Sequence, residues 1–198
     1  GEVSQRLLET VLEQARREQL LSAEHFTVDG TLLEAWASRN SFVAKEPGTV
    51  VGTGARGRKC LRDTHESKTD PEARLYKKSA AGEAKPSYLG HVIIENRNGL
   101  VVAACATQSS TTAEREAALA MLDQMGLRPE KIPRADPRIT LGADQSYQEQ
   151  KFIEGLRQRR VVPHVAEYKP SAKWPNFLTE TERNDPGFAV SQKKRKLV

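Results

Sequence analysis

Two β-rich runs, residues 88–95 and 100–106, are joined by Asn96-Arg97-Asn98-Gly99. Asn-Gly between such runs is a strong local signal for an antiparallel hairpin, because its second residue tolerates the positive φ that a tight reversal needs. A hairpin commits a chain to a sheet, and its neighbours decide which kind. Thr111-Thr112-Ala113-Glu114 has capping-box spacing, Ala117, Ala118, Met121, Leu122 and Met125 form an apolar stripe, and Gly126 stands where a helix would stop. A proline-broken connection over 128–138 leads into Ile139-Thr140-Leu141-Gly142-Ala143, which reads as a short buried strand. Ser146-Tyr147-Gln148-Glu149 repeats the capping-box spacing and predicts a helix with Phe152, Ile153 and Leu156 inward. Val161 to Val165 returns as a strand, which Pro163 assigns to a sheet edge.

Upstream, Val3, Leu7, Leu8, Val11, Leu12 and Ala15 follow helical spacing over residues 3–20. Residues 26–29 read as a short strand that Gly30-Thr31 ends or bends, and residues 32–36 fit either strand or helix. From 38 to 84 the chain is polar, with glycines at 48, 52, 54 and 57 and basic residues at 56, 58, 59 and 62, so a long insertion is expected there. Gly52 to Gly57 superficially matches a dinucleotide fingerprint. No apolar strand precedes it and no periodic helix follows, so no nucleotide cofactor is expected.

The order is helix, strand, insertion, hairpin, helix, strand, helix, strand, which predicts a mixed α/β sheet with flanking helices. A ribonuclease H-like arrangement satisfies it. The expected organisation is one core over 1–198, with a helical lead-in at 1–24, the polar insertion at 38–84 and an irregular basic tail at 166–198. That arrangement sets the strand ending in Asp29 beside the strand ending in Asp144 at the sheet centre. Two aspartates so placed would hold a hard cation such as Mg²⁺, which favours carboxylate and water oxygens at ~2.0–2.1 Å, and Mg²⁺ points to phosphoryl chemistry on nucleic acid. The plainer alternative is that each aspartate ends a strand, Asp-Gly being a common turn pair.

Composition narrows the partners. A net charge of +5 and a pI of about 9.3 favour a polyanion, while 6% aromatic content argues against a stacking platform for single strands. With 37% hydrophobic residues and a mean hydropathy of −0.62, one modest core is expected. Cys60 and Cys105 stand without a CxxC or paired histidines, so neither zinc nor a disulfide framework is indicated, and a reducing cytoplasm fits. His25, His65, His91 and His164 lack metal-ligand spacing. No apolar run approaches the ~18–20 residues of a membrane span.

A broad resemblance then enters, carried by Val28-Asp29-Gly30-Thr31-Leu32-Leu33-Glu34-Ala35-Trp36-Ala37-Ser38 and by Asp63-Thr64-His65-Glu66-Ser67 with Thr69-Asp70-Pro71-Glu72-Ala73-Arg74-Leu75-Tyr76. It continues through Gly90-His91-Val92, Glu95-Asn96-Arg97-Asn98-Gly99-Leu100-Val101-Val102, Thr112-Ala113-Glu114-Arg115-Glu116-Ala117-Ala118-Leu119-Ala120-Met121 and Leu141-Gly142-Ala143-Asp144. Together these stretches resemble the catalytic core of bacterial insertion-sequence transposases of the Asp-Asp-Glu class. The resemblance implies a ribonuclease H-like fold, Mg²⁺ or Mn²⁺ as cofactor, and Asp29 and Asp144 as the first two catalytic carboxylates and metal ligands. It also implies hydrolysis and strand transfer at transposon-end phosphodiesters, double-stranded DNA and a second copy as partners, and a cytoplasmic, nucleoid-associated location.

Departures qualify the expected activity. Where the family usually continues Lys-Gly-Tyr-Asp after its second aspartate, this chain has Gln145-Ser146-Tyr147-Gln148, and Ala103 replaces a family aspartate. Residues 189–198 resemble the lead-in to the helix bearing the third carboxylate, expected just beyond Val198. Glu167, Glu180, Glu182 and Asp185 fall in a non-periodic stretch and are not expected to substitute for it. The isolated chain is therefore expected to cut and join DNA poorly or not at all. The alternative is a non-catalytic DNA-binding or partner-binding remnant that uses Arg157, Arg160, Lys193, Lys194, Arg195 and Lys196. For the two arginines, a favourable place at a helix C-terminus is the plainer role.

Overall fold

The computed structural model describes residues 2–45, 65–77, 83–127, 139–169 and 173–194. Contacts divide the chain into two compact units. One comprises Gly1–Asp29, His91–Cys105 and Arg115–Val198, the other Gly30–Gly90 and Ala106–Glu114.

The first unit opens with α1 (Glu2–Arg17), which buries Leu12 and Ala15. Gln19 adopts a φ of +56°, which terminates the helix three residues before the periodicity predicts. Next comes β1 (His25–Glu34), whose burial alternates over its first six residues, with Phe26, Val28 and Gly30 inward. The strand does not end at Gly30-Thr31. It continues to Glu34, so Asp29 lies in a strand interior, not at a turn. Gly30 is extended here, and a Cβ on it would come within 2.7 Å of Glu114 Oε1, so the glycine sits at a close approach and not at a reversal.

The hairpin forms as expected from β5 (Lys85–Glu95) and β6 (Val101–Gln108). Glu95 N donates to Leu100 O at 2.8 Å and Gly99 N to Glu95 O at 3.0 Å, with Gly99 at a φ of +73°. The Glu95 side chain, wholly buried, accepts from Arg97 N at 2.5 Å and Asn98 N at 3.0 Å. Those bonds explain how a carboxylate is accommodated inside, because buried polar groups must be paired.

Helix α2 (Ala113–Gln124) buries Ala117, Ala118, Met121 and Leu122, and Gly126, at a φ of +89°, follows it as predicted. Its cap differs from the expected Thr111 box. Ser110 Oγ accepts from Ala113 N at 3.0 Å and Thr112 N at 3.3 Å, one residue earlier.

The strand β7 (Ile139–Ala143) is buried throughout and is flanked by β1 and by β8 (Val161–Val165), both parallel to it. Burial on both faces is the usual state of parallel strands and explains the continuous apolar run. Hydrogen-bonded order in this unit is β6-β5-β1-β7-β8, leaving β8 and its Pro163 at an edge. Helix α3 (Gln150–Gln158) buries Phe152, Ile153 and Leu156, each worth about 1.5–3 kcal/mol of apolar transfer. The ring of Phe152 tilts against Tyr147 at 5.2 Å.

Two short helices, α4 (Glu180–Arg183) and α5 (Pro186–Lys194), occupy part of the tail expected to be irregular. A capping box, Thr179 with Glu182, starts α4. The aromatic edge of His164 meets Phe188 of α5 at 5.7 Å, and Gln192 donates to His164 O at 2.6 Å. Tertiary contacts with β8, not hydrophobic periodicity, hold this segment in helical form.

In the second unit, the insertion is partly regular. A 3₁₀ turn (Arg39–Ser41) leads into β2 (Phe42–Ala44), which pairs antiparallel with β3 (His65–Ser67), and β4 (Arg74–Tyr76) pairs antiparallel with the start of β5. Buried Ser67 organises the turn: its Oγ lies 2.6 Å from Ser41 Oγ and accepts from Asp70 N at 3.1 Å. Cys60 and the glycine run at 52–57 lie outside the described residues.

Candidate metal centre

Of the two aspartates singled out by the sequence, Asp29 lies in β1 and Asp144 directly follows β7, and the two strands are hydrogen-bonded neighbours. His25 pairs with Thr140, Phe26 with Leu141 and Thr27 with Gly142. Carried two residues past the last paired position, that parallel register would set Asp29 level with Asp144. Adjacent strands lie about 4.8 Å apart, and residues level with each other in a parallel pair project to the same side.

Asp29 is exposed and Asp144 half-buried. Asp144 follows β7 directly and serves as N-cap of a 3₁₀ turn (Gln145–Tyr147): its Oδ1 accepts from Ser146 N at 2.7 Å and Ser146 Oγ at 2.5 Å. The capping box expected from Ser146 and Glu149 is therefore displaced, because Ser146 is spent on Asp144, and Glu149 caps α3 with no side-chain bond. Arg115, at the start of α2, donates from Nη1 to Ser146 O at 3.0 Å and sits with Nε 2.9 Å from Glu149 Oε2. The turn that carries Asp144 is thus braced from a helix by a largely buried guanidinium, whose two-pronged geometry fixes direction as well as charge.

With Oδ1 directed into the turn, Oδ2 is the atom of Asp144 suited to face a cation. One or two carboxylates with water complete a normal Mg²⁺ set, so the donor chemistry fits that ion or Mn²⁺. Among the described residues no group of three or more His, Cys, Asp or Glu side chains is arranged to hold a metal.

The other acidic candidates are engaged elsewhere. Glu182 accepts both prongs of Arg157, at 2.8 Å each. Asp185 Oδ1 stands 3.3 Å from His164 Nε2, both side chains nearly inaccessible. Glu167 lies 3.8 Å from Arg183 Nη1. Burial pushes Glu182 up, but the Arg157 fork and the Thr179 amide and hydroxyl outweigh it and hold the carboxyl below its usual value.

Of the basic residues assigned to nucleic acid, Arg157 is tied to Glu182 and also donates to Phe177 O at 2.9 Å. Its clamp on α4 is a structural role. Arg160 is exposed with a φ of +53°, just past the end of α3. Lys193 is exposed near the end of α5, where Lys194 follows, and Arg195 and Lys196 lie outside the described residues. Arg159 is held bidentately by Asp123, at 2.8 Å twice.

Three features escaped the sequence: the Glu95 turn, the His164 and Asp185 pair, and Arg115. Glu95 and Arg115 each left a signal, since both fall inside stretches that carry the family resemblance, and the His164 and Asp185 pair left none. Burial lowers the pKa of His91, which is almost wholly inaccessible. Among the described residues no helix is long and apolar enough to cross a membrane. No protein-family model, curated protein or solved structure matches the chain.

Proposed function

We propose that this chain is a ribonuclease H-like transposase core, with double-stranded DNA at transposon ends as substrate and Asp29 and Asp144 as ligands of Mg²⁺ or Mn²⁺. The observation that carries the reading is the parallel β1–β7 register, which, continued two residues, would bring Asp29 level with Asp144. Support also comes from the strand order β6-β5-β1-β7-β8, a hairpin beside a parallel trio, and from the net charge of +5, suited to a polyanion.

A divalent ion bound there would lower the pKa of an attacking water or hydroxyl and offset charge on the phosphodiester. The chain's own part is positional. Ser146 directs one oxygen of Asp144 inward, Arg115 fixes the turn, and buried β7 gives the pair a rigid base. The resemblance calls for three carboxylates, and two stand at matching positions in these 198 residues. Weak or absent strand transfer by the isolated polypeptide follows.

Duplex DNA binding, measured across a salt series with and without Mn²⁺, tests the reading. The expected result is binding that weakens steeply with salt, strengthens with Mn²⁺, and loses the Mn²⁺ increment when both aspartates become alanine. Binding unchanged by that double replacement would favour the non-catalytic remnant, and vigorous strand transfer would contradict the claim of impairment.

A further inference from the structure

Within the first unit, beside the start of β1, lies a cavity of about 330 Å³. Small-molecule pockets run from about 300 to 1,000 Å³, so the space suits a molecule of mononucleotide size better than a bare ion. His25, Asn96, Arg97, Thr140 and Ser22 supply polar groups to its lining.

Asn96 and Arg97 bring donors to the lining. Thr27 Oγ1 donates to Asn96 Oδ1 at 2.9 Å, which uses the amide's acceptor and leaves its NH₂ to offer. His25 Nδ1 is engaged with Thr140 Oγ1 at 2.9 Å, so Nε2 is the nitrogen turned to other partners. That Nε2 and Arg97 Nη2 each stand 4.0 Å from one oxygen, Glu24 Oε2. At 4.0 Å neither contact is a hydrogen bond. A guanidinium and an imidazole nitrogen therefore stand near one anionic oxygen without clamping it, which marks a place where a better-fitting anion competes.

Deeper in, Thr140 and Ser22 are 4% and 8% exposed, a polar floor on two separate segments. The opposite wall is Val190, Gly187 and the buried ring of His164. A Cβ at Gly187 would come 3.1 Å from His164 Cε1, so the glycine lets α5 approach that ring closely.

We propose that this cavity binds a nucleoside monophosphate, its phosphate at His25, Asn96 and Arg97 and its base against Val190 and His164. The ligand is either a free nucleotide or the 5′-terminal nucleotide of a DNA strand. The site needs no divalent ion and stands apart from the aspartate pair, so it survives failure of the transposase reading.

The test is an amide-resolved NMR titration of the full chain in EDTA with thymidine monophosphate, with thymidine, and with a 5′-phosphorylated thymidine trinucleotide. Saturable shifts are expected at Ser22, His25, Asn96, Arg97, Thr140 and residues 187–191. Thymidine should bind at least about tenfold more weakly than its monophosphate, as should the monophosphate to Arg97→Ala, a loss of about 1.4 kcal/mol or more. Should that variant misfold, His25→Gln provides the same comparison. Tighter binding of the trinucleotide assigns the site to a strand end, and equal or tighter binding of the monophosphate assigns it to a free nucleotide. Absence of saturable shifts at these residues, or affinity indifferent to both the phosphate and Arg97, overturns the proposal.

Discussion

Asp144 has two separable jobs, and two substitutions pull them apart. Its Oδ1 accepts from the Ser146 amide and hydroxyl at 2.7 and 2.5 Å, capping the turn between β7 and α3. Asparagine keeps an oxygen there and is nearly as good a cap, whereas alanine removes the acceptor at a typical cost of about 1 kcal/mol. For a domain of 150–250 residues that is a fall of about 2–4 °C in Tm. Half-burial keeps the cost moderate, since water can take up part of the lost bonding. Asp144→Asn should therefore melt within about 1 °C of the parent, on the same scale of a few tenths of a kcal/mol, and Asp144→Ala several degrees lower. Both should lose divalent-cation binding alike, because each removes the charge. The assay is thermal melting by circular dichroism in EDTA, paired with Mn²⁺ titration of the same samples. Equal melting of the two variants would refute the capping role, and full Mn²⁺ binding by Asp144→Asn would refute the ligand role.

Three further outcomes follow from other side chains. Glu182 has a folded pKa below its ordinary value, so the stability it contributes is complete above the ordinary carboxylate range and lost as pH falls through the folded value; urea midpoints should fall less steeply with acid in Glu182→Gln than in the parent, and identical slopes would contradict this. Tyr88 donates to Asp70 Oδ1 at 2.7 Å, and that bond, with burial, pushes its pKa up to about 12. Its contribution is present below the ordinary tyrosine value and lost as pH rises through about 12. Rapid-mixing tyrosinate absorbance should show a late-titrating phase that Tyr88→Phe removes and Asp70→Asn shifts to lower pH; a titration unaltered by either change counts against the bond. Replacing Glu95 by alanine removes the acceptor of the Arg97 and Asn98 amides, at a cost of about 1 kcal/mol or more, and the expected Tm loss should exceed that of Glu95→Gln, which keeps one oxygen.

What the sequence disclosed and what it concealed divide along the range of the forces involved. The Asn98-Gly99 turn, the Met121 and Leu122 stripe and the stop at Gly126 rest on contacts within a few residues, and all are legible. The neighbourhood of β1 and β7 follows from element order, because a crossover strand has few places to go in a mixed sheet. Gly30 is ambiguous in the sequence, since the same residue that permits a turn also permits close packing within a strand, as it does beside Glu114. Ser146 is similarly ambiguous: its hydroxyl serves the aspartate before it, not the helix after it. The α5 segment has no amphipathic rhythm to read, and its order comes from His164, a partner more than twenty residues upstream.

The most direct test of the central claim is Mn²⁺ binding, followed by paramagnetic resonance, to the parent chain and to Asp29→Asn and Asp144→Asn. Carboxylates on neighbouring strands about 4.8 Å apart can share one ion, so each substitution alone should weaken the same site by at least about tenfold, or about 1.4 kcal/mol, and the double variant should lose little more. Unchanged Mn²⁺ affinity in either single variant, or independent losses that add in the double, would contradict a shared centre.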